Sequence, residues 1–244
     1  MAITVSSLPL IIGHRGACGH APENTLASFR AAADLGVAWV EFDVKLSGDG
    51  ELIILHDDTL DRTTTGRGPV TQHTLAEIRR LDAGLFFDAE FRGEKVPTLD
   101  DTLAVLQDLN LGAVVEIKPC PGREAETGDR TARHLAAHWP GSLPAPLLCS
   151  FKPGALAAAG AAVPALERAL LLEVMAEDWR HLAEQVGVRA IHCGHGHLTE
   201  SLAGEVQAAG YDLRCYTVND GARAKVLLDW GVQGIITDYP ERMP

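Results

Sequence analysis

The chain has no run of apolar residues approaching the roughly 18 needed to cross a bilayer, so no transmembrane helix is expected. Its first residues, MAITVSSLPLIIGHRG, carry no basic segment, and the apolar stretch Leu8–Ile12 is too short for a signal core. Basic charge is scarce too: 21 Lys and Arg stand against 33 Asp and Glu, a formal charge of −12. With no basic tract to neutralise a phosphate backbone, a nucleic-acid partner is excluded. A small phosphate ester is not, since one or two local cations and a metal suffice for it. Cysteine is sparse and unpaired: Cys18, Cys120, Cys149, Cys193 and Cys215 are odd in number and contain no CxxC. They read as reduced thiols of a cytoplasmic protein. Aromatics make up only 5% of residues, which leaves no aromatic stripe for membrane docking.

What is present is a globular composition, 46% hydrophobic and 22% charged, in 244 residues. That length suits one large domain. A single punctuation recurs, in which an amphipathic stretch ends in Gly and a β-branched or apolar run follows. It falls at Gly36, Gly112, Gly187, Gly210 and Gly231, each read as the left-handed residue past a helix end. Runs at LPLIIGH, VAWVEFDV, AVVEIK, PLLCSF, ALLLEV, VRAIHC, YDLRCYTV and GIIT make eight strands alternating with helices. Both faces of such strands are apolar, as in a covered parallel sheet. Eight units in this length predict a closed (β/α)8 barrel, with an open doubly wound sheet as the alternative. The rhythm breaks after the second strand. Ser47–Gly50 turn the chain, Glu51–Leu55 return as a hairpin partner, and a Thr-, Gly- and Asp-rich stretch runs from Asp57 to Pro97. Its scattered Leu and Phe residues predict an ordered insertion.

Chemistry-bearing residues gather at strand ends. His14 and Arg15 end the first strand, Glu41 and Asp43 lie late in the second, and Glu116 and Lys118 end the third. Residues two apart on a strand share a face, so each pair is aligned, and C-terminal strand ends surround the mouth of a barrel. Three carboxylates converging there repel unless a cation lies between them. All-oxygen ligation favours Mg²⁺ or Ca²⁺ over Zn²⁺. His14 and His56 are candidate proton-transfer groups, and Arg15 is a fork suited to a phosphoryl oxygen. Glu23 and Asn24 are read as setting the loop into the first helix, with Asn24 as its N-cap. Ser150, Glu173 and Asn219 fall at strand ends as possible pocket lining, and Glu23 is a further candidate for it. His192, His195 and His197, in HCGHGH, look like a soft-metal cluster but are read as a glycine-loosened loop after the sixth strand.

In order along the chain, HRGACGHAPENTLASF, VEFDVKLSGDGELIILHDDTLDRTTTGRG, VPTLDDTL, VVEIKP, CYTVND and GIITDYP resemble the glycerophosphodiester phosphodiesterase family, closest to its bacterial cytosolic members. The resemblance spans about residues 10 to 240. It implies one TIM-barrel domain over 1–244 with the family insertion at about 47–97. It implies hydrolysis of small glycerophosphodiesters to glycerol 3-phosphate and an alcohol, with one divalent cation, Mg²⁺ or Ca²⁺. Glu41, Asp43 and Glu116 match its metal ligands, His14 and His56 its acid/base pair, and Arg15 and Lys118 its substrate-contacting cations. Tyr216 stands where many members have Trp, and Leu85-Phe86-Phe87 replaces a Trp-Phe pattern; both are expected on the pocket wall. The chain ends soon after its last strand, leaving little of an eighth helix. The rivals are a phospholipase D-like activity on lysophospholipids or sphingomyelin, and a non-catalytic binding protein on the same fold.

Overall fold

The structure, a computed structural model, describes residues 8–244. Eight parallel strands close on themselves: β1 (Ile11–Gly13), β2 (Trp39–Leu46), β4 (Gly112–Ile117), β5 (Leu147–Ser150), β6 (Glu167–Leu172), β7 (Ala190–Gly194), β8 (Asp212–Tyr216) and β9 (Gly234–Thr237). Closure runs through β1, which pairs with β9 (Gly13↔Thr237) and with β2 (Gly13↔Val40). A short β3 (Leu52–Ile54) lies antiparallel on β2, the hairpin partner expected from the turn at Ser47–Gly50.

Alternation along β2 shows how the barrel is layered. Val40, Phe42, Val44 and Leu46 face outward and pack with Phe29 and Ala32 of α1 (Leu26–Asp34) and with Leu99, Leu103 and Leu106 of α3 (Leu99–Leu109). Trp39 faces inward with Ile12, Val114, Leu147, Ala169, Ala190 and Ile236, a plug of apolar side chains that fills the barrel. Counting by two from Trp39 therefore carries Glu41, Asp43 and Lys45 up the inside wall. The outer layer continues with α4 (Glu124–His138), α5 (Pro153–Ala162), α6 (Trp179–Val186), α7 (Glu200–Ala208) and α8 (Gly221–Asp229). Among the described residues β9 is followed by a single 3-10 turn, Pro240–Arg242.

Between β2 and α3 the chain builds a small lobe with its own core of Ile53, Leu55, Leu60, Val70, Ile78, Ala83 and Val96. It carries one short helix, α2 (Leu75–Ile78), whose Thr74 and Glu77 form a reciprocal capping box. A second box, Thr98 with Asp101, starts α3. Four of the five expected glycines do take positive φ: Gly36, Gly187, Gly210 and Gly231. Gly112 does not. The left-handed residue closing α3 is Asn110, with φ of 54°, as Asn tolerates. Gly112 instead opens β4, where a Cβ would strike the Trp39 indole.

Candidate active site

The turn after β1 is unusually tight. Arg15 has φ of 49° and Gly16 φ of 89°, and a side chain on Gly16 would collide with Ser28 of α1. A non-glycine residue held in the left-handed region costs free energy and persists only where surroundings enforce it. Here they do: Arg15 N donates to Glu41 Oε2 at 3.1 Å, and its carbonyl accepts from Ser28 Oγ at 2.8 Å and Asn24 N at 3.1 Å. The turn thereby fixes His14 and Arg15 over the end of β2.

Glu41, Asp43 and Glu116 meet inside the barrel mouth, one oxygen from each lying within 4.8 Å of the others. The register explains it, since Asp43 is directly opposite Glu116 across the β2–β4 ladder. All three are buried, with Asp43 only 1% exposed. Burial, and then the charges of Asp43 and Glu116, push the Glu41 carboxyl well above its usual range. Burial and Asp43 also lift Glu116, to about 7. Asp43 goes the other way, to about 2, because Arg15, Lys118, His56 and the Asn24 amide together outweigh its burial. Asp43 Oδ1 nevertheless accepts no hydrogen bond among the described residues. Three carboxylates crowded beyond what the adjacent cations neutralise, one with a buried unsatisfied oxygen, form a donor set that fits a hard divalent cation.

Asn24 is where expectation and structure part. The residue capping α1 is Thr25, whose side chain accepts from Ser28 N. Asn24, at φ 58°, instead clasps Asp43 from both sides: its amide donates to Asp43 Oδ2 at 2.7 Å and accepts from Asp43 N at 3.1 Å.

The two histidines are held alike. His14 Nδ1 lies 2.6 Å from Asp238 Oδ1, and His56 Nδ1 lies 2.7 Å from Asp57 Oδ1. An ionised carboxylate can only accept, so each Nδ1 carries the hydrogen and each Nε2 is the atom left to take up or give a proton. His14 Nε2 points toward Glu41, 3.9 Å from Oε2. Both rings line a cavity of about 460 Å³ together with Arg15, Glu116, Lys118 and Phe151. Burial, aided by Arg15 and Lys118, holds His56 below its ordinary value against the pull of Asp43 and Asp57. Asp238 is anchored in turn by Asn219, which donates to Oδ2 at 2.7 Å and accepts from the Asp238 amide at 2.9 Å. Burial would raise the Asp238 carboxyl, but the hydrogen bond and charge of His14 hold it at about 2.

Cations run from the lobe to the cluster. Arg62 grips Asp57 and Glu23 with paired hydrogen bonds of 2.6–2.8 Å; Glu23 in turn holds Arg15 at 2.6 Å. Arg15 Nε stands 3.5 Å from Asp43, while Lys118 Nζ sits 2.8 Å from Glu116. Buried Lys45 donates to Asp57 O and Asp58 Oδ1, which ties the loop after His56 to the barrel. Asp57, Arg62 and Asp238 were not singled out in the sequence.

Other expected lining residues divide. Glu173 and Tyr216 do line the cavity, with His195 and His197. Ser150 is fully buried and donates to Ile117 O at 2.6 Å, though it also borders a smaller adjoining cleft. Asn219 sits behind Asp238 rather than on the cavity wall. The histidine cluster is broken by strand alternation: His192 belongs to β7, not to a loop, and is fully buried inside the barrel, its ring pushed down to about 3 by burial and by Arg214. Phe86 and Phe87 are about two-fifths exposed and meet edge to face, with Phe87 edge to face on Phe91, and neither lines the cavity.

The glycerophosphoryl diester phosphodiesterase family profile matches residues 14–242. The chain belongs to that family. A glycerophosphodiester phosphodiesterase of Caldanaerobacter subterraneus is 33% identical to it over 96% of each chain. One from Bacillus subtilis is 34% identical over 95% of this chain and 84% of its own length. Among solved structures, a phosphodiesterase from Oleispira antarctica, in complex with the product sn-glycerol-3-phosphate, superposes with a TM-score of 0.93 at 38% identity, covering 97% of this chain and 95% of its own. Among the described residues no helix is long and apolar enough to cross a membrane.

Proposed function

We propose that this chain hydrolyses small glycerophosphodiesters to glycerol 3-phosphate and an alcohol, working as one barrel domain with the segment 47–97 as the family insertion. The observation that carries this reading is the convergence of Glu41, Asp43 and Glu116 with two carboxylate-anchored histidines around one cavity. The Oleispira relative with its bound product supports the choice of substrate. The three carboxylates would hold one Mg²⁺ or Ca²⁺, whose chemistry is to neutralise them and polarise a phosphoryl oxygen. Arg15 and Lys118 bind the remaining phosphate oxygens. One histidine, neutral, accepts a proton at Nε2 from the attacking hydroxyl, and the other, entering as the imidazolium, gives its Nε2 proton to the leaving alkoxide. Five free thiols, including buried Cys193 and Cys215 with sulfurs 3.9 Å apart, support a cytoplasmic location.

Release of glycerol 3-phosphate from glycerophosphocholine, glycerophosphoethanolamine and glycerophosphoglycerol tests the reading. Turnover of at least one is expected, and none on the whole panel in the presence of Mg²⁺ or Ca²⁺ would overturn it. Asp238 serves His14 as a positioning residue. In the serine-protease case the corresponding Asp→Asn change costs about 10⁴-fold; here Asp238 is partly exposed, and Asp238→Asn should lower kcat by at least about tenfold. Normal kcat with a shifted KM would assign Asp238 to substrate binding instead. No Ser or Cys stands in an activated motif, so the nucleophile is water or the substrate hydroxyl next to the phosphate. Intramolecular attack gains from proximity and would pass through a cyclic glycerol phosphate. An analogue methylated at that hydroxyl is then expected to resist hydrolysis; a normal rate would identify water as the nucleophile.

A further inference from the structure

We propose that His14, Cys18 and Asp238 form a second cation site, separate from the three-carboxylate cluster, which takes a soft divalent ion such as Zn²⁺ and switches the enzyme off. His14 Nδ1, Cys18 Sγ and Asp238 Oδ1 lie within 4.8 Å of one another. The individual separations are 2.6 Å (His14–Asp238), 2.8 Å (Cys18–Asp238) and 3.8 Å (Cys18–His14). Zinc bonds of about 2.0–2.3 Å at tetrahedral angles place ligand atoms roughly 3.3–3.7 Å apart. The triad must therefore open by less than about 1 Å to close on such an ion.

The backbone already brings the three together. His14 and Cys18 sit one turn apart, with Cys18 N donating to His14 O, and Gly19 N donates to Asp238 O across the β1–β9 seam. All three side chains are partly accessible, which leaves room for water as a fourth ligand. The donors also differ in kind from the neighbouring cluster. One imidazole nitrogen, one sulfur and one carboxylate suit Zn²⁺, whereas three carboxylates suit Mg²⁺ or Ca²⁺. Two adjacent sites thus discriminate between classes of ion.

Binding has a defined proton balance. The Cys18 thiol loses its proton to solvent and its sulfur bonds to the ion. The hydrogen on His14 Nδ1 moves to Nε2, and Nδ1 bonds to the ion, so the ring stays neutral. Nε2 then carries a hydrogen and can no longer accept one. The inhibitory consequence, though not the binding, rests on the reading of His14 as a proton-transfer group.

The test titrates Zn²⁺ into the enzyme saturated with Mg²⁺, and Co²⁺ into the same protein with its absorption spectrum followed. Wild type should be inhibited, and Co²⁺ should give a thiolate-to-cobalt charge-transfer band. Cys18→Ser keeps a hydroxyl to donate to Asp238 and should retain basal turnover. It should lose the band and need at least the roughly 10–100-fold more Zn²⁺ that even an outer-shell change costs a metal site. Cys18→Ala should behave alike. Equal Zn²⁺ sensitivity in wild type and both variants would show displacement of Mg²⁺ at the carboxylates and overturn the proposal, as would a wild type that is insensitive or gives no thiolate band. The Co²⁺ spectrum is read without turnover, so failure of the phosphodiesterase reading leaves that measurement standing.

Discussion

Removal of divalent cations with EDTA is expected to abolish turnover, and Mg²⁺ or Ca²⁺ to restore it. Glu41, Asp43 and Glu116 share one buried volume, and only Asp43 is held firmly ionised, chiefly by Arg15 and Lys118. Without a cation, Glu116 titrates near 7 and Glu41 well above its ordinary value, so the metal-free site is partly protonated at neutral pH. For an acid whose folded value lies above its unfolded one, the folded state holds the extra proton, and stability falls as pH rises between the two values. The metal-free protein should therefore lose stability from about pH 4.5 to about 7 on account of Glu116. A saturating cation displaces those protons, so its apparent affinity should rise through the same window. At a hundredfold excess over Kd, mass action contributes about 2.7 kcal/mol, or roughly 5–10 °C in Tm for a chain this size. Undiminished activity after exhaustive chelation, with Tm indifferent to metal, would remove the cation from the reaction.

The carboxylate cluster was legible because strand geometry has period two. Once VEFDV and VVEIK are strands, Glu41 must face the side of Asp43, and Glu116 that of Lys118. The eight strands were legible for a similar reason, as each is a short apolar run and all but the first follow a helix. What escaped depends on closure. Asp238 is 224 positions from His14. It becomes a neighbour only because β9 pairs with β1, placing the residue after Thr237 beside the one after Gly13. A barrel expectation carried one step further, asking which acid follows the last strand, would have found it. Asn24 was misread because a good capping residue and the true cap, Thr25, are adjacent, and only the left-handed turn at Asn24 turns its amide toward Asp43. His192 was read as loop because two glycines follow it. Alternation from Ala190, which faces the barrel interior, puts it inside instead.

Replacing His14 or His56 by Ala should lower kcat by about 100-fold or more, the usual worth of general acid–base catalysis, with the fold intact. Each ring is held by a carboxylate at Nδ1 and contributes Nε2 to the same cavity, so neither can be replaced by a neighbour without moving a strand end. His14 is fixed by the β1–β9 seam. His56 is fixed by Asp57, whose carboxylate accepts from Arg62 and whose backbone carbonyl accepts from Lys45. Truncation to Ala removes a ring that is partly exposed in both cases, 17% for His14 and 27% for His56, so the stability cost is modest and circular dichroism should be unchanged. The two variants differ in their pH signatures. Burial, with Arg15 and Lys118, keeps His56 below its ordinary 6.5. Its neutral form therefore dominates at pH 7, and the acidic limb of kcat/KM that it controls falls below pH 6.5. His56→Ala should flatten that limb as well as lower the plateau. A His56→Ala enzyme with near-normal kcat and the same acidic limb would take His56 out of the proton transfer and leave Asp57 and Arg62 as parts of the lobe's scaffold alone.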